Sequence, residues 1–286
     1  MPRRKSSKKK SFSFGYILLA AAIALAVIGA SKLDACDRSD NSASPSVATE
    51  ASQLMEVSVP EGTPEQIVHY PGMDVSFNKK MHVPNWVAWE LTAEEASGEE
   101  PRSNKFYNDP QVEGCPETYD YSYSGYDRGH MAPAGDMKWS SEAMQASFSL
   151  ANICPQAKSL NTGAWKRLEE KCRQWAKADG EIIIVCGPVL NDPIREFIGD
   201  ARVAVPKRFY KVILSPNARP MRGIGFIMPN GKPEGGMQAC AVSIDEVERV
   251  TGLDFFAALP DSIENAVESQ CDFPMWSRIK PKQYKQ

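Results

Sequence analysis

Four short stretches carry side chains that could act together on one bond. YDRGHMAPAGD, from Tyr126 to Asp136, sets Arg128 and His130 on either side of Gly129, and His130 is one of three histidines in the chain. NICPQ contributes Asn152, LNTGAW contributes Asn161 and Trp165, and Glu169 follows eight residues after Asn161. Upstream, Arg102 lies in the polar loop PRSNKFYNDPQ, ahead of Asp109-Pro110. An imidazole, with an unperturbed pKa of roughly 6.5, suits general-base activation of water near neutral pH. The charge that develops on a phosphoryl group under attack needs a cation, either a guanidinium or a metal ion. Magnesium prefers oxygen ligands and keeps several of its waters, so a single asparagine carbonyl can complete the protein's share of such a site. These residue types therefore suit hydrolysis of a phosphodiester. Gly129 is expected to bend the chain so that Arg128 and His130 face one cleft, and Pro133 to stiffen the loop beyond.

The order and spacing of these elements resemble the DNA/RNA non-specific endonucleases of the ββα-metal superfamily, the endonuclease G-like group. In that family the DRGH histidine is the general base, an asparagine in an N-x-x-P-Q turn follows, and an asparagine in L-N-x-x-x-W holds Mg²⁺. A glutamate eight residues later lies just beyond the metal's ligands. The matching positions are Asp127-Arg128-Gly129-His130, then Asn152 with Pro155 and Gln156, then Asn161 with Trp165, and Glu169. Arg102 matches an arginine that the family carries shortly before an Asp-Pro. The resemblance spans about Ile67 to Trp276 and rests on four separated elements in the right order. It implies that His130 activates water and that Mg²⁺ on Asn161, with Mn²⁺ as a substitute, stabilises the pentacovalent phosphate. Arg102 and Arg128 would add charge stabilisation, and Asn152 would orient the site by hydrogen bonds. DNA and RNA would both be cut to 5′-phosphorylated products through backbone contacts, in keeping with the absence of any groove-reading motif.

Each residue also has a purely structural reading. His130 could be a buried histidine bonded to backbone, Asn161 the N-cap of the helix after it, Glu169 a surface acid and Arg102 a solvated one. Arg128 either binds phosphate or braces its loop. Asp127 is expected to anchor that loop, and Asp136, His69 and His82 to be structural or surface residues. Two other function classes stay open: a degenerate nuclease fold acting as a binding module, and a phosphodiesterase on another substrate. A serine hydrolase is not supported, because no GxSxG elbow occurs.

The elements that must position these residues read as an α+β domain. IVHY, MDVSF and the stretch from Trp86 to Leu91 predict strands, the first two joined by a Pro-Gly turn. Gly125 to Gly135 reads as irregular. Ser140 predicts an N-cap for SSEAMQASFSLAN, a run that NICPQ breaks. GAWKRLEEKCRQWAKADG predicts an amphipathic helix ending at Gly180, and about 2.2 turns separate Asn161 from Glu169, which puts them on one side of it. EIIIVCGPVL, FYKVIL and GIGFIMPN predict an antiparallel meander, and SIDEVERVTGLDFFAAL a helix with a capping box from Ser243 and Glu246. Mixed runs of strands and helices favour α+β over a doubly wound sheet. The resemblance makes the expectation sharper: a ββα-metal nuclease fold with a central antiparallel sheet flanked by helices, over residues 67–280.

The amino end is a separate region. Residues 1–11 hold six basic residues and no acid, and Phe12 to Ala30 runs 19 residues without a charge. That predicts an N-terminal transmembrane helix over 12–30 with its basic end cytoplasmic and the rest exported. A cleaved signal peptide, or a lipoprotein box at LDAC, also fits this segment, and cleavage would make the protein secreted. Residues 31–66 read as a flexible linker, with order beginning near Ile67. Seven of the 33 basic residues lie at or before Lys32 and no acid does, which leaves 26 basic against 36 acidic from Leu33 onward, a net charge of −10. A high-affinity, non-catalytic nucleic-acid binder would not carry that balance, so phosphate binding must be local. Cys115, Cys154, Cys172, Cys186, Cys240 and Cys271 lie in the expected folded part. Export of an even set predicts disulfides, with Cys240–Cys271 as one bridge, against the alternative of buried thiols. A disulfide at Cys154, beside Asn152, would stiffen the site. The oligomeric state is open.

Overall fold

The run EIIIVC divides its side chains between two cores. Ile182, Ile184 and Cys186 enter one hydrophobic cluster, and Ile183 and Val185 enter another. A strand's side chains alternate between its faces, so a nearly continuous apolar run marks a strand buried on both sides. The computed structural model describes residues 50–280. In chain order its strands begin with β1 (Val57–Ser58), β2 (Gln66–Tyr70), β3 (Met73–Asn78) and β4 (Val83–Thr92). Next come β5 (Asp127–His130), β6 (Ile153–Gln156), β7 (Glu181–Pro188), β8 (Phe197–Ile198) and β9 (Val203–Ala204). The chain continues through β10 (Arg208–Ser215), β11 (Arg222–Pro229), β12 (Ala241–Val242) and β13 (Asp254–Phe255). Seven of them form one sheet in the order β12-β11-β10-β7-β4-β3-β2. Each neighbouring pair runs antiparallel. The expected mixed fold with a central antiparallel sheet is what the chain adopts.

The helices are α1 (Ala51–Leu54), α2 (Ser141–Ala146), α3 (Lys166–Asp179), α4 (Ile244–Thr251), α5 (Asp261–Glu268) and α6 (Phe273–Arg278). Helix α3 buries Leu168, Cys172, Trp175 and Ala176 at the spacing of one helical stripe, against the cluster that holds Ile182 and Ile184. Its end is set by Gly180 at φ +94°, a conformation that glycine adopts without strain. Helices α4 and α5 contribute Ile244, Val247 and Val267 to the cluster that holds Ile183 and Val185. Helix therefore covers both faces of the sheet.

Three expectations change. Helix α4 starts as predicted, with the Ser243 hydroxyl accepting from the Glu246 amide at 3.1 Å. It stops at Thr251 rather than near Leu259, because Gly252 turns left-handed at φ 72° and the chain re-enters as β13. Order begins ahead of Ile67: β1 pairs with β13, and Leu54 is 2% exposed in the α4 and α5 core. Gly125 to Gly135 is not all irregular, since Asp127–His130 is strand β5. The predicted transmembrane segment lies outside the described residues, among which no helix is long and apolar enough to cross a membrane. Leu54→Ala is expected to cost about 2–5 kcal/mol, read as a lower urea midpoint; an unchanged midpoint would mean that this segment does not hold the domain.

Candidate active site

Strands β5 and β6 form a two-stranded antiparallel ribbon in which Asp127 faces Gln156 and His130 faces Ile153. Strand periodicity, and not a bend at Gly129, puts Arg128 and His130 on one face. Both meet the same ring: the Arg128 guanidinium lies 5.3 Å from the Phe106 centroid, and the His130 ring also stands 5.3 Å from it. Gly129 is required for another reason. A Cβ there would collide with the buried amide of Gln156 across the ribbon.

His130 is 8% exposed and packs edge-on to Phe148 at 4.9 Å and against Phe106 at 5.3 Å, and the two phenyl rings touch each other at 5.0 Å. Its Nε2 is buried and has no protein partner. Burial, and then the nearby Arg102 guanidinium, hold its pKa down at about 3, so the imidazole is neutral at physiological pH. Arg102 is exposed and lies over the Phe148 ring, 5.2 Å from its centroid. Arg128 donates to the Thr118 carbonyl at 2.7 Å, so bracing is part of its work. A cavity of about 350 Å³ is lined by Arg128 with Tyr121, Tyr123 and Tyr126. Another of about 500 Å³ is lined by Arg102, Lys105 and Phe106. Each of the two arginines held on the aromatic rings beside His130 thus lines a hollow of its own.

The two asparagines do different things. Asn152 is fully buried, and its amide donates to the carbonyls of Ala132 at 2.8 Å and Ser147 at 2.9 Å. Its oxygen accepts from the Ala132 amide at 2.9 Å, so its polar atoms are spent on fixing the chain just past His130. Asn161 is half-buried and its Nδ2 donates to Asp127 Oδ2 at 2.9 Å. No described protein group donates to its Oδ1, which leaves that oxygen available beside a carboxylate. The pair offers only oxygen donors, the set that suits a hard cation such as Mg²⁺ or Mn²⁺. Asp127 is thereby the residue that orients Asn161.

Asn161 and Glu169 do not share a straight helix. Leu160–Trp165 forms a wide π-type turn, with Gly163 at φ −108° and ψ −112°, and α3 begins only at Lys166. An angle counted over regular turns does not apply across that kink. The turn also seats Trp165, whose indole donates to the His130 carbonyl at 3.2 Å. Glu169 reaches the site from α3 with its carboxyl pushed up to about 7, by burial first; Asp136 adds to this while Lys211, Arg173 and Arg102 oppose it.

Lys211 is the residue that motif matching misses. It is fully buried, and its ammonium lies 4.6 Å from the Trp89 ring and 4.6 Å from the Trp165 ring, with no hydrogen-bond partner. Burial disfavours its charge, and Cys186, Cys172, Glu169 and Asp136 outweigh that and leave its pKa raised. The signal is in FYKVIL, where one lysine occupies an inward position between Phe209 and Ile213. Asp136 is a buried anchor, accepting from Arg173 at 2.6 Å and from the Trp89 indole at 3.1 Å. His69 pairs with Asp74 at 2.7 Å and His82 with the Gly114 carbonyl at 2.7 Å, both structural as expected.

The disulfide expectation is corrected: all six cysteines among the described residues are free, the Cys240–Cys271 pair included. Cys154, Cys172 and Cys186 are packed as small apolar groups in the core, and burial pushes their thiols up.

Residues 50–262 match the family described as DNA/RNA non-specific endonuclease, and the chain belongs to that family. It is 38% identical over 211 residues to "Nuclease EXOG, mitochondrial" of Danio rerio, covering 66% of this chain and 60% of that one. It is 36% identical over 217 residues to "Mitochondrial nuclease" of Saccharomyces cerevisiae, covering 67% of this chain and 65% of that one. The match spans 56–60% of the length of the EXOG relatives from zebrafish, mouse and human. Among solved structures, a chain of the EndoG/EndoGI complex superposes with a TM-score of 0.65 at 29% identity, covering 74% of this chain and 94% of that one.

Titration by histidine NMR checks the aromatic box. His130 is expected to stay neutral down to about pH 4, its pKa lying at about 3. Arg102→Ala removes a like charge and should raise that midpoint; a midpoint near 6.5 in the unmodified protein would mean that the box is open to water.

Proposed function

We propose that this chain is a Mg²⁺-dependent, sugar-non-specific endonuclease that hydrolyses DNA and RNA to 5′-phosphorylated products, with Mn²⁺ able to substitute. The observation that carries the reading is the neutral, partnerless His130, packed against two touching phenyl rings that each carry an arginine. An uncharged imidazole has a lone pair free to take a proton from water, and the negative charge of a bound phosphate would raise its basicity from the low value of the free protein toward the range that general-base catalysis needs. Arg102 and Arg128, held over the rings that touch His130, place positive charge where phosphate oxygens would lie, and the hollows they line suit a continuing nucleic-acid backbone. Neither arginine reads a base, which fits cleavage without sequence or sugar preference.

Asn161 Oδ1, oriented by Asp127, is the group that would hold the metal. A divalent cation bound there supplies Lewis-acid neutralisation of charge on the phosphate. Glu169, its charge favoured by Lys211 and Arg173, would accept hydrogen bonds from water around that ion once ionised. Asn152 positions and does not touch substrate, since its polar atoms are already taken. We further propose that residues 12–30 anchor the protein in a membrane by a single span. Residues 1–11 would then be cytoplasmic and the nuclease domain exported, in a periplasmic or extracellular position. The support is the basic cluster followed by 19 uncharged residues.

Plasmid nicking by the full chain, with Mg²⁺ and with EDTA, tests the reading. His130→Ala should lower the rate by roughly 10²–10⁴-fold, and EDTA should abolish it. Nicking that survives His130→Ala would sink the mechanism, and folded protein that cuts neither DNA nor RNA would sink the activity. Glu169 gains a proton as pH falls through about 7, so the rate should decline below that value. In Glu169→Gln the rate should be lower at pH 8 and the acid decline near pH 7 should flatten; a decline unchanged by the substitution would assign it to another group.

A further inference from the structure

We propose that Asp245, Glu248 and Glu268 form a second cation site, selective for calcium, that ties α4 to α5 on the sheet face away from α3. One carboxylate oxygen from each residue lies within 4.8 Å of the other two. Calcium binds oxygen at roughly 2.3–2.6 Å, so one ion can touch three oxygens at that spacing. Asp245 and Glu248 are three apart on α4 and therefore share a face, and Glu268 is the last residue of α5.

Glu268 makes this more than an acidic patch. It is only 6% exposed, and its Oε1 is shielded from solvent without a hydrogen-bond partner. A buried carboxylate oxygen left unpaired costs free energy that a cation would recover. Glu248 is also oriented, because its Oε1 accepts from the Phe255 amide at 2.9 Å. The charge is not balanced by protein: none of the ion pairs among the described residues includes Asp245, Glu248 or Glu268. Arg249, one residue from Glu248, is engaged by Glu246 at 2.6 Å. Asp254 and Glu264 add further negative charge nearby.

All the donors are carboxylate oxygens, so soft metals are disfavoured. A desolvated glutamate beside an exposed aspartate suits calcium's irregular, partly hydrated shell better than the strict octahedron of magnesium. The site is structural, since it lies in the core of α4 and α5 and not in that of His130. It does not rest on the nuclease reading.

Calcium titration of the full chain in detergent, followed by calorimetry and thermal unfolding, tests the proposal. Asn161→Ala provides a background in which the proposed magnesium position is removed. One Ca²⁺ should bind in that background, and the melting temperature should rise by roughly 3–6 °C at tenfold excess over the dissociation constant. Glu268→Gln and, separately, the exposed Asp245→Asn should each weaken binding at least tenfold while the metal-free protein melts no lower than the parent. Absence of Ca²⁺ binding, or binding that neither substitution weakens, overturns the site. An equal rise with the same concentration of Mg²⁺ overturns the assignment to calcium.

Discussion

An ammonium group with no hydrogen-bond acceptor sits wholly buried on one face of the sheet, and the neighbouring elements are arranged around it. Lys211 lies between the indoles of Trp89 and Trp165, and a desolvated cation–π contact contributes only about 2 kcal/mol. Burying an unpaired charge costs more than that, so carboxylates must be near. Glu169 and Asp136 provide them. Arg173, one turn beyond Glu169 on α3, binds Asp136, which Trp89 holds from β4. Strands β4 and β10, helix α3 and the chain after β5 are thus coupled through one set of charges. That coupling fixes which side of α3 faces the site and brings Glu169 near Arg102.

Outside this charged centre the site is built by exclusion of water. Phe106 and Phe148 pack together against His130, and the same rings carry the guanidinium groups of Arg128 and Arg102. The rings do two jobs: they keep the imidazole neutral and they hold the arginines at its margin. Asn152 and Trp165 fix the backbone on which His130 stands. Positive charge is therefore local in a chain whose net charge from Leu33 onward is −10. One cluster of acids, Asp245, Glu248 and Glu268, lies away from it where α4 meets α5.

Much of this was legible before any coordinates. The apolar runs from Glu181 to Pro229 predicted the meander because a doubly buried strand has few alternatives. Gly180 and Ser243 marked helix limits through local backbone chemistry that needs no tertiary partner. DRGH, Asn152, Asn161 and Glu169 stand out by pattern; the fold sets Asn152 against the chain past His130, Asn161 against Asp127, and Glu169 on α3 near Lys211 and Arg102. Less legible were the limits set by remote contacts: β1 forms because β13 is there to pair with it, and the stretch after the Gly252 helix stop becomes strand rather than helix through that same pairing. The short strand of DRGH was hidden for the same reason, since a four-residue strand depends on its partner.

What the residues determined by themselves was the inventory: a histidine and two arginines of the types that phosphate chemistry uses, an asparagine able to offer oxygen, a sheet apolar on both faces, and a net acidic balance. Local chemistry suffices for these, because they depend on side-chain type and on short-range backbone preference. Tertiary structure alone decided how the inventory is used. It made Asn152 a structural pin and left the Asn161 oxygen unpaired; it placed a π-type kink between Asn161 and Glu169. It kept the cysteines apart, and it set Lys211 at the charged centre. Each of those outcomes depends on groups distant in sequence brought together away from water, where an unpaired charge or amide is costly, and no local pattern can state which groups those will be.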